Sequence, residues 1–436
     1  MKALVISSFV ALAAVLWAQM TITDTVITAI DRQLDPDLIS GQAGVATDVE
    51  ILHRQDGLLD SSGSVRLTSH GSNGLSMEID YQVSHSLLAF LSGVSYQGTI
   101  DGIKVRLDGS EVHVNDAIWD GKKIGFSGLV TDAGTAGGIV SIPAVNSLFD
   151  VGPDVWGSPQ YLDVSVPAFD IHVDMQGINQ PKSQYSVSTS FDDVVVKSAG
   201  DVLTIGGIDY QQSTERSSSG LDSDVTFAIA SLGSASVNPM QDIQMTDIRI
   251  ATDLDLRQQL SYRSKLSIGN VRSQIGEARD FFLNSRLTGI DGQSLRDVVS
   301  LLEQTGGMDG ELQSRAVMLY MQQHFDAMLA PGPVLALESG VQFNGENFYD
   351  VDAEAHLQTD QLPRDFFATW MAKGNAADMK TLLSAVMARV NARLSPGVAM
   401  MVAGIHPLIA EKAFKGEELK FVVRDGLISL NDQALF

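Results

Sequence analysis

The chain has no cysteine, which excludes a disulfide, a thiolate metal site and a cysteine nucleophile. That absence is compatible with an oxidising compartment without marking one. Positive charge is scarce: 29 Lys and Arg face 53 Asp and Glu, a net charge of −24. Like charge repels phosphate, so the balance argues against nucleic acid and against anionic membrane surfaces as partners. Catalytic signatures are missing as well. There is no His-Glu-x-x-His zinc helix, no phosphate-binding loop, no dinucleotide-binding glycine pattern and no Gly-x-Ser-x-Gly elbow. Gly125-Phe126-Ser127-Gly128 comes nearest to the elbow and reads as a strand turn. The expectation is a protein with no catalytic residues, no cofactor and no metal, and therefore not an enzyme.

The acids and histidines fit that reading. Asp35/Asp37, Asp222/Asp224 and Asp253/Asp255 form Asp-x-Asp pairs, and residues two apart on a strand share a face. Each pair has the chemistry to hold a hard cation, but solvated strand faces are the favoured reading. The 8 histidines are scattered. His324 sits in an apolar stripe and reads as a core or boundary residue.

What is present begins at the amino terminus. Ala3–Met20 carries no charge and follows a lone Lys2. This reads as an export leader, residues 1–20. A cut after Ala18 would leave Leu16 where a small residue is preferred, so an uncleaved anchor is favoured over a cleaved signal peptide. The run is about long enough to span a bilayer, with Trp17 near its outer end. Residues 21–38 read as an amphipathic stalk helix: Val26, Ile27, Ile30 and Leu34 lie at helical spacing, Asp24 caps and Pro36 stops.

Residues 39–275 change to a period of two. Leu75, Met77, Ile79, Tyr81 and Val83 alternate with polar residues, as do Ile103, Val105 and Leu107, then Val112 and Val114. Val225, Phe227 and Ile229 repeat the pattern, and so do Ile248 and Ile250, then Leu266 and Ile268. One-sided alternation over many strands predicts a large twisted antiparallel sheet with one face apolar. Asp108-Gly109, Asp120-Gly121, Gly206-Gly207 and Ser217–Gly220 read as turns.

Residues 276–415 mix helices with strands. Val317, Tyr320, Met321, His324, Phe325 and Met328 form a helical stripe closed by Pro331 and Pro333. Strands are expected at Val334–Leu337, Val341–Phe343 and Val351–Gln358. Pro363 opens a helix with Phe366, Phe367 and Trp370, which Gly374 breaks. Met379, Leu382, Leu383, Val386, Val390 and Leu394 read as another helical stripe. Pro396 starts an apolar segment running through Ala410. Residues 416–436 form a closing hairpin over Asp425-Gly426. The fold class is mainly β with a helical region near the carboxyl terminus (α+β), the sheet curling into a half-barrel groove behind a membrane helix.

Three segments resemble the YdgA/YihF family of bacterial envelope proteins, a family of unknown function. His53-Arg54 leads through Gly57 to Ser61-Ser62, with two extra residues before the glycine. Ser84-His85-Ser86-Leu87 resembles a His-Gly-Pro turn that lacks its Gly and Pro. The third segment comprises Asp291-Gly292 before a helix, the Pro363 region and Arg424–Asn431. The resemblance implies an inner-membrane anchor and a periplasmic body. It brings no catalytic residues, but marks His53, Arg54, Ser61, Ser62 and His85 as motif positions. The histidines are expected to make structural hydrogen bonds at strand ends.

The expected function is to hold or shield lipid, or another hydrophobic ligand, along a β groove in envelope maintenance. Met321, Phe325, Met328, Phe366, Phe367 and Trp370 are the candidate ligand or core stripe. The alternative is an assembly module that binds other envelope proteins or forms a homodimer. A hydrolase acting on envelope polymers is the least favoured reading.

Overall fold

The computed structural model describes residues 26–434 apart from 33, 37–38, 41–45, 71–73, 86–92, 108–109, 132–133, 154–158, 178–179, 237–241, 306–309, 364–365, 367–368, 370–375 and 403–406. The leader at 1–20, Asp24, the Asp108-Gly109 turn, Phe367, Trp370 and Gly374 lie outside the described residues. Among the described residues no helix is long and apolar enough to cross a membrane. Residues 26–32 are helical. The chain divides into two compact units: Met1–Asp150, Asp163–Phe191 and Leu302–Gln313 form one, and Val151–Leu162, Asp192–Leu301 and Ser314–Phe436 form the other.

The first unit is an antiparallel sheet. Its early strands are β1 (Thr47–Asp56), β2 (Asp60–Ser69), β3 (Leu75–Ser84), β4 (Val94–Leu107), β5 (Ser110–His113), β6 (Ile124–Val130) and β7 (Ala136–Ile142). Strands β8 (Val145–Pro153) and β9 (Pro159–Val166) straddle the division between the units, and β10 (Phe169–Gln176) and β11 (Lys182–Phe191) return to the first. The spatial order is β1-β2-β3-β4-β6-β7-β10-β11, with β5 folded back on the end of β4. The alternation Leu75-x-Met77-x-Ile79-x-Tyr81-x-Val83 puts its apolar set on one face, because successive side chains of a strand point to opposite faces.

The second unit is a meander. Strands β12 (Val194–Ser198), β13 (Asp201–Ser217), β14 (Gly220–Ala235), β15 (Ile243–Leu256), β16 (Gln259–Ser273) and β17 (Gly276–Asp291) pair in chain order. Helices α1 (Gly292–Thr305) and α2 (Gly310–Leu329) precede β18 (Val334–Phe343) and β19 (Glu346–Leu357). Then come α3 (Ala376–Ala385), β20 (Val386–Leu394), α4 (Pro396–Val402), α5 (Pro407–Phe414), β21 (Leu419–Arg424), β22 (Leu427–Leu430) and β23 (Gln433–Ala434). No pairing joins β12 to β23 among the described residues, so this meander is open. The mainly β, antiparallel expectation holds.

Local chemistry sets the element ends. At the start of α1, the Asp291 carboxylate accepts the Ser294 N–H at 2.7 Å and its hydroxyl at 2.8 Å, a cap that satisfies an otherwise orphaned donor. That hydrogen bonding holds the Asp291 carboxyl below its ordinary range. The β21–β22 turn places Asp425 at φ 52° and Gly426 at φ 74°, the left-handed pair a tight hairpin requires.

Several expectations need correction. Gly206-Gly207 is no turn. It lies inside β13, where Gly207 takes φ 59° opposite Ala230 and the register runs unshifted from Gly206↔Ser231 to Ile208↔Ile229. Val114 starts a six-residue helix, Val114–Trp119, rather than continuing a strand. Val334–Leu337 and Val341–Phe343 are one strand. Val386, Val390 and Leu394 belong to β20, not to a helix. A step of four is also a multiple of two, and the β-branched valines favour the strand.

The second unit's buried cluster lies near its carboxyl terminus. Ala392, Ala399, Ile409, Ala413, Leu419 and Leu430 pack together where α4 and α5 meet β20–β22.

Candidate functional site

Four of the five motif positions shape one hairpin end in the first unit, and the fifth locks it. Ser61 is 1% exposed and His85 is 0% exposed. The Ser61 hydroxyl and His85 Nε2 lie 3.0 Å apart, and the His85 N–H donates to the Leu59 carbonyl at 2.9 Å. A buried polar group is costly unless bonded, so this pair fixes the β1–β2 turn to the end of β3. Gly57 N–H donates to the Asp60 carbonyl at 2.7 Å inside the same turn. The expected structural hydrogen bond at a strand end is what His85 makes.

Arg54 has a different task. It pairs with Asp31 of the 26–32 helix, and its Nε lies 2.9 Å from Asp56. The Asp31 hydrogen bond leads the causes that raise its guanidinium above the ordinary value. Arg54 therefore ties the 26–32 helix to β1. Across the ladder Arg54 faces Gly63, which faces Tyr81. A side chain on Gly63 would meet the Tyr81 hydroxyl at 2.7 Å, so only glycine lets that ring lie across the strand. The Tyr81 hydroxyl is buried with no hydrogen-bond partner, and burial pushes its pKa up.

The opposite face of the same strands carries a trough of about 750 Å³. His53, Ser62 and Ser64 line it with Asp80, Gln82, Gln97, Thr99, Ser127 and Ser141, and Tyr81 and Phe126 border it as well. Two cross-strand rows build it. One is Ser62–Gln82–Gln97–Ser127, and the other is Ser64–Asp80–Thr99–Gly125–Ser141. Gln97 Nε2 donates to Gln82 Oε1 at 3.0 Å, and the Ser64 hydroxyl donates to Asp80 at 2.5 Å. Sequence reading found His53 and Ser62 but missed Gln82, Gln97, Thr99 and Ser141. Their only signal is a run of short neutral polar residues at alternate positions.

In the second unit the sheet's other character dominates. Tyr210, Phe227, Ile250, Leu266 and Leu283 stand directly across from one another on β13–β17, and Ile208, Ile229, Ile248, Ile268 and Phe281 form the adjacent row. These ten residues carry no charge and none is fully buried; Ile250 is 40% exposed. On the helical stripe, Met328 is buried, Met321 and Phe325 are half-buried, and Phe366 is buried. His324 is the exception to its expected place. It is exposed and stacks on Tyr320, with ring centroids 4.3 Å apart.

The two later Asp-x-Asp pairs come together. Asp222 faces Asp255 and Asp224 faces Asp253 across β14 and β15. Arg257 pairs with Asp222 and lies 3.3 Å from Asp255. The Asp224 carboxyl is pushed up by partial burial, then by Asp253 and Asp222. Among the described residues no group of three or more His, Asp or Glu is arranged to hold a metal ion.

The fold thus defines an open antiparallel meander protein with an apolar face in one unit and a polar trough in the other. A model of a bacterial protein family of unknown function (DUF945) matches residues 133–426, and the chain belongs to that family. The match begins after β6, so the Ser61–His85 lock and most of the trough precede it. No curated protein and no solved structure matches the chain.

Proposed function

We propose that this chain is a non-enzymatic binding protein that holds the acyl portion of a lipid along the apolar face of β13–β17. The ten-residue block spanning five strands carries the reading. At about 4.8 Å per strand it extends roughly 19 Å across the sheet. An uncharged, half-exposed surface of that size marks a hydrophobic interaction site. The neighbouring buried cluster supports the reading by contrast, because there α4 and α5 cover the sheet.

The apolar run Ala3–Met20 and the resemblance to YdgA/YihF envelope proteins support an inner-membrane anchor with the body in the periplasm. An assembly module that binds envelope proteins or a second copy through this face is the alternative. Native mass spectrometry with organic extraction separates them. We expect about one acylated lipid per chain after purification in mild detergent, and its loss in Ile250→Glu/Leu266→Glu. A lipid-free mass in the unmodified protein overturns the reading, and a lipid-free dimer favours the alternative.

A further inference from the structure

We infer that the trough of about 750 Å³ on the polar face of β2–β7 is a second binding site, and that it takes an uncharged, hydroxyl-rich chain of the glycan class. The lining chemistry makes the assignment. Ser62, Ser64, Thr99, Ser127 and Ser141 offer hydroxyls, and Gln82 and Gln97 offer carboxamides. Each of these groups both donates and accepts. A sugar hydroxyl does the same, so every lining group finds a partner in either sense. Gln82 and Gln97 stand exposed in the middle of one row, and Gly125 leaves the other row low beside Thr99.

Charge narrows the ligand further. The ionisable residues of the lining are His53, Asp80 and Tyr81, and no Lys or Arg is among them. Asp80 already accepts from Ser64 and lies 3.5 Å from the Lys123 ammonium, which itself sits 3.0 Å from Asp101. An acidic ligand meets no unpaired cation here and approaches a chain of net charge −24. The contrast with the second unit is direct. There the comparable hollows hold Arg263, Lys265, Arg286 and Glu338, or Asp352, Glu354 and Arg389.

Other ligand classes fit poorly. An apolar chain would strip water from seven hydroxyl and amide side chains without replacing it, at a cost for each. An extended peptide needs a sheet edge. The trough lies in the interior of the β2-β3-β4-β6-β7 ladder, where backbone groups are paired strand to strand. Nucleic acid is opposed by the net charge of −24.

The test is calorimetric titration of the full-length chain with chitotetraose, cellotetraose and maltotetraose, with tetragalacturonate as the acidic control. We expect saturable binding of at least one neutral oligosaccharide with Kd at or below about 1 mM, and no binding of the acidic one. In Gln82→Ala/Gln97→Ala the affinity falls about tenfold or more. Both side chains are exposed, so the thermal midpoint stays unchanged. The inference is overturned by no binding of the three neutral probes, by preference for tetragalacturonate, or by equal affinity in the double variant.

Discussion

At the residue scale, the Ser61–His85 contact is the sharpest case of motif residues acquiring a physical role. Both side chains are shielded from water, so neither ring nitrogen nor hydroxyl can fall back on solvent. Ser61→Ala removes the hydroxyl that lies 3.0 Å from His85 Nε2 and with it a buried hydrogen bond. Such a loss costs about 1–3 kcal/mol. Urea unfolding followed by circular dichroism checks this, and a change below about 0.5 kcal/mol would mean the buried hydrogen bond is not stabilising the hairpin. The sequence offered His85 and Ser61 as candidates, but nothing in their spacing of 24 positions showed that they meet. That contact depends on the β2–β3 register, which pairs Ser61 with Val83 two residues before the histidine. Arg54 was legible as a motif residue, whereas its partner Asp31 was hidden in the polar side of a presumed stalk.

At the element scale, ladders are organised by charges as well as by alternation. Glu277 opens β17 and gathers Arg279 at 2.6 Å, Arg272 at 2.8 Å and Asn270 at 2.8 Å, so it clamps the β16–β17 hairpin. Hydrogen bonds from Arg279 above all, then from Arg272 and Asn270, pull its carboxyl from the ordinary 4.5 down to about 2. A carboxyl depressed in the folded state stabilises above the unfolded value and loses that contribution as pH falls toward the folded one. Glu277→Gln should therefore lower the thermal midpoint at neutral pH, and the gap to wild type should narrow between about pH 4.5 and pH 2. Solvent and salt screen this surface cluster, so the shift is small and shrinks in high salt. A gap that stays constant across that window would show that the clamp is not ionic. Alternation made most strands readable because a period of two is unambiguous over five or more residues. It failed at β20, where Val386, Val390 and Leu394 satisfy both periods, and at Gly206-Gly207, where a glycine pair inside a strand carries the same signal as a turn.

At the scale of the whole molecule, two kinds of apolar residue coexist. Leu430 is 0% exposed beneath α4 and α5, while Leu266 is half-buried within the open block. Sequence alone ranks them alike, because both are leucines at inward positions of regular strands. The difference arises from what covers them, and the cover comes from helices more than 100 residues downstream of β16. It follows that stability is concentrated at the carboxyl-terminal end of the meander. Leu430→Ala leaves a cavity among packed neighbours and should cost about 2–5 kcal/mol. Leu266→Ala in lipid-free protein removes a side chain that water already reaches, so its cost should stay below about 1 kcal/mol. Binding to the folded state adds stability by mass action. If an acyl chain occupies the block, the cost of Leu266→Ala should rise in the lipid-loaded protein while that of Leu430→Ala stays fixed. Denaturant unfolding of both variants, with and without bound lipid, gives the four numbers. Equal costs for the two leucines in lipid-free protein would mean that the β13–β17 face is already closed, and the acyl-binding reading would fall with it.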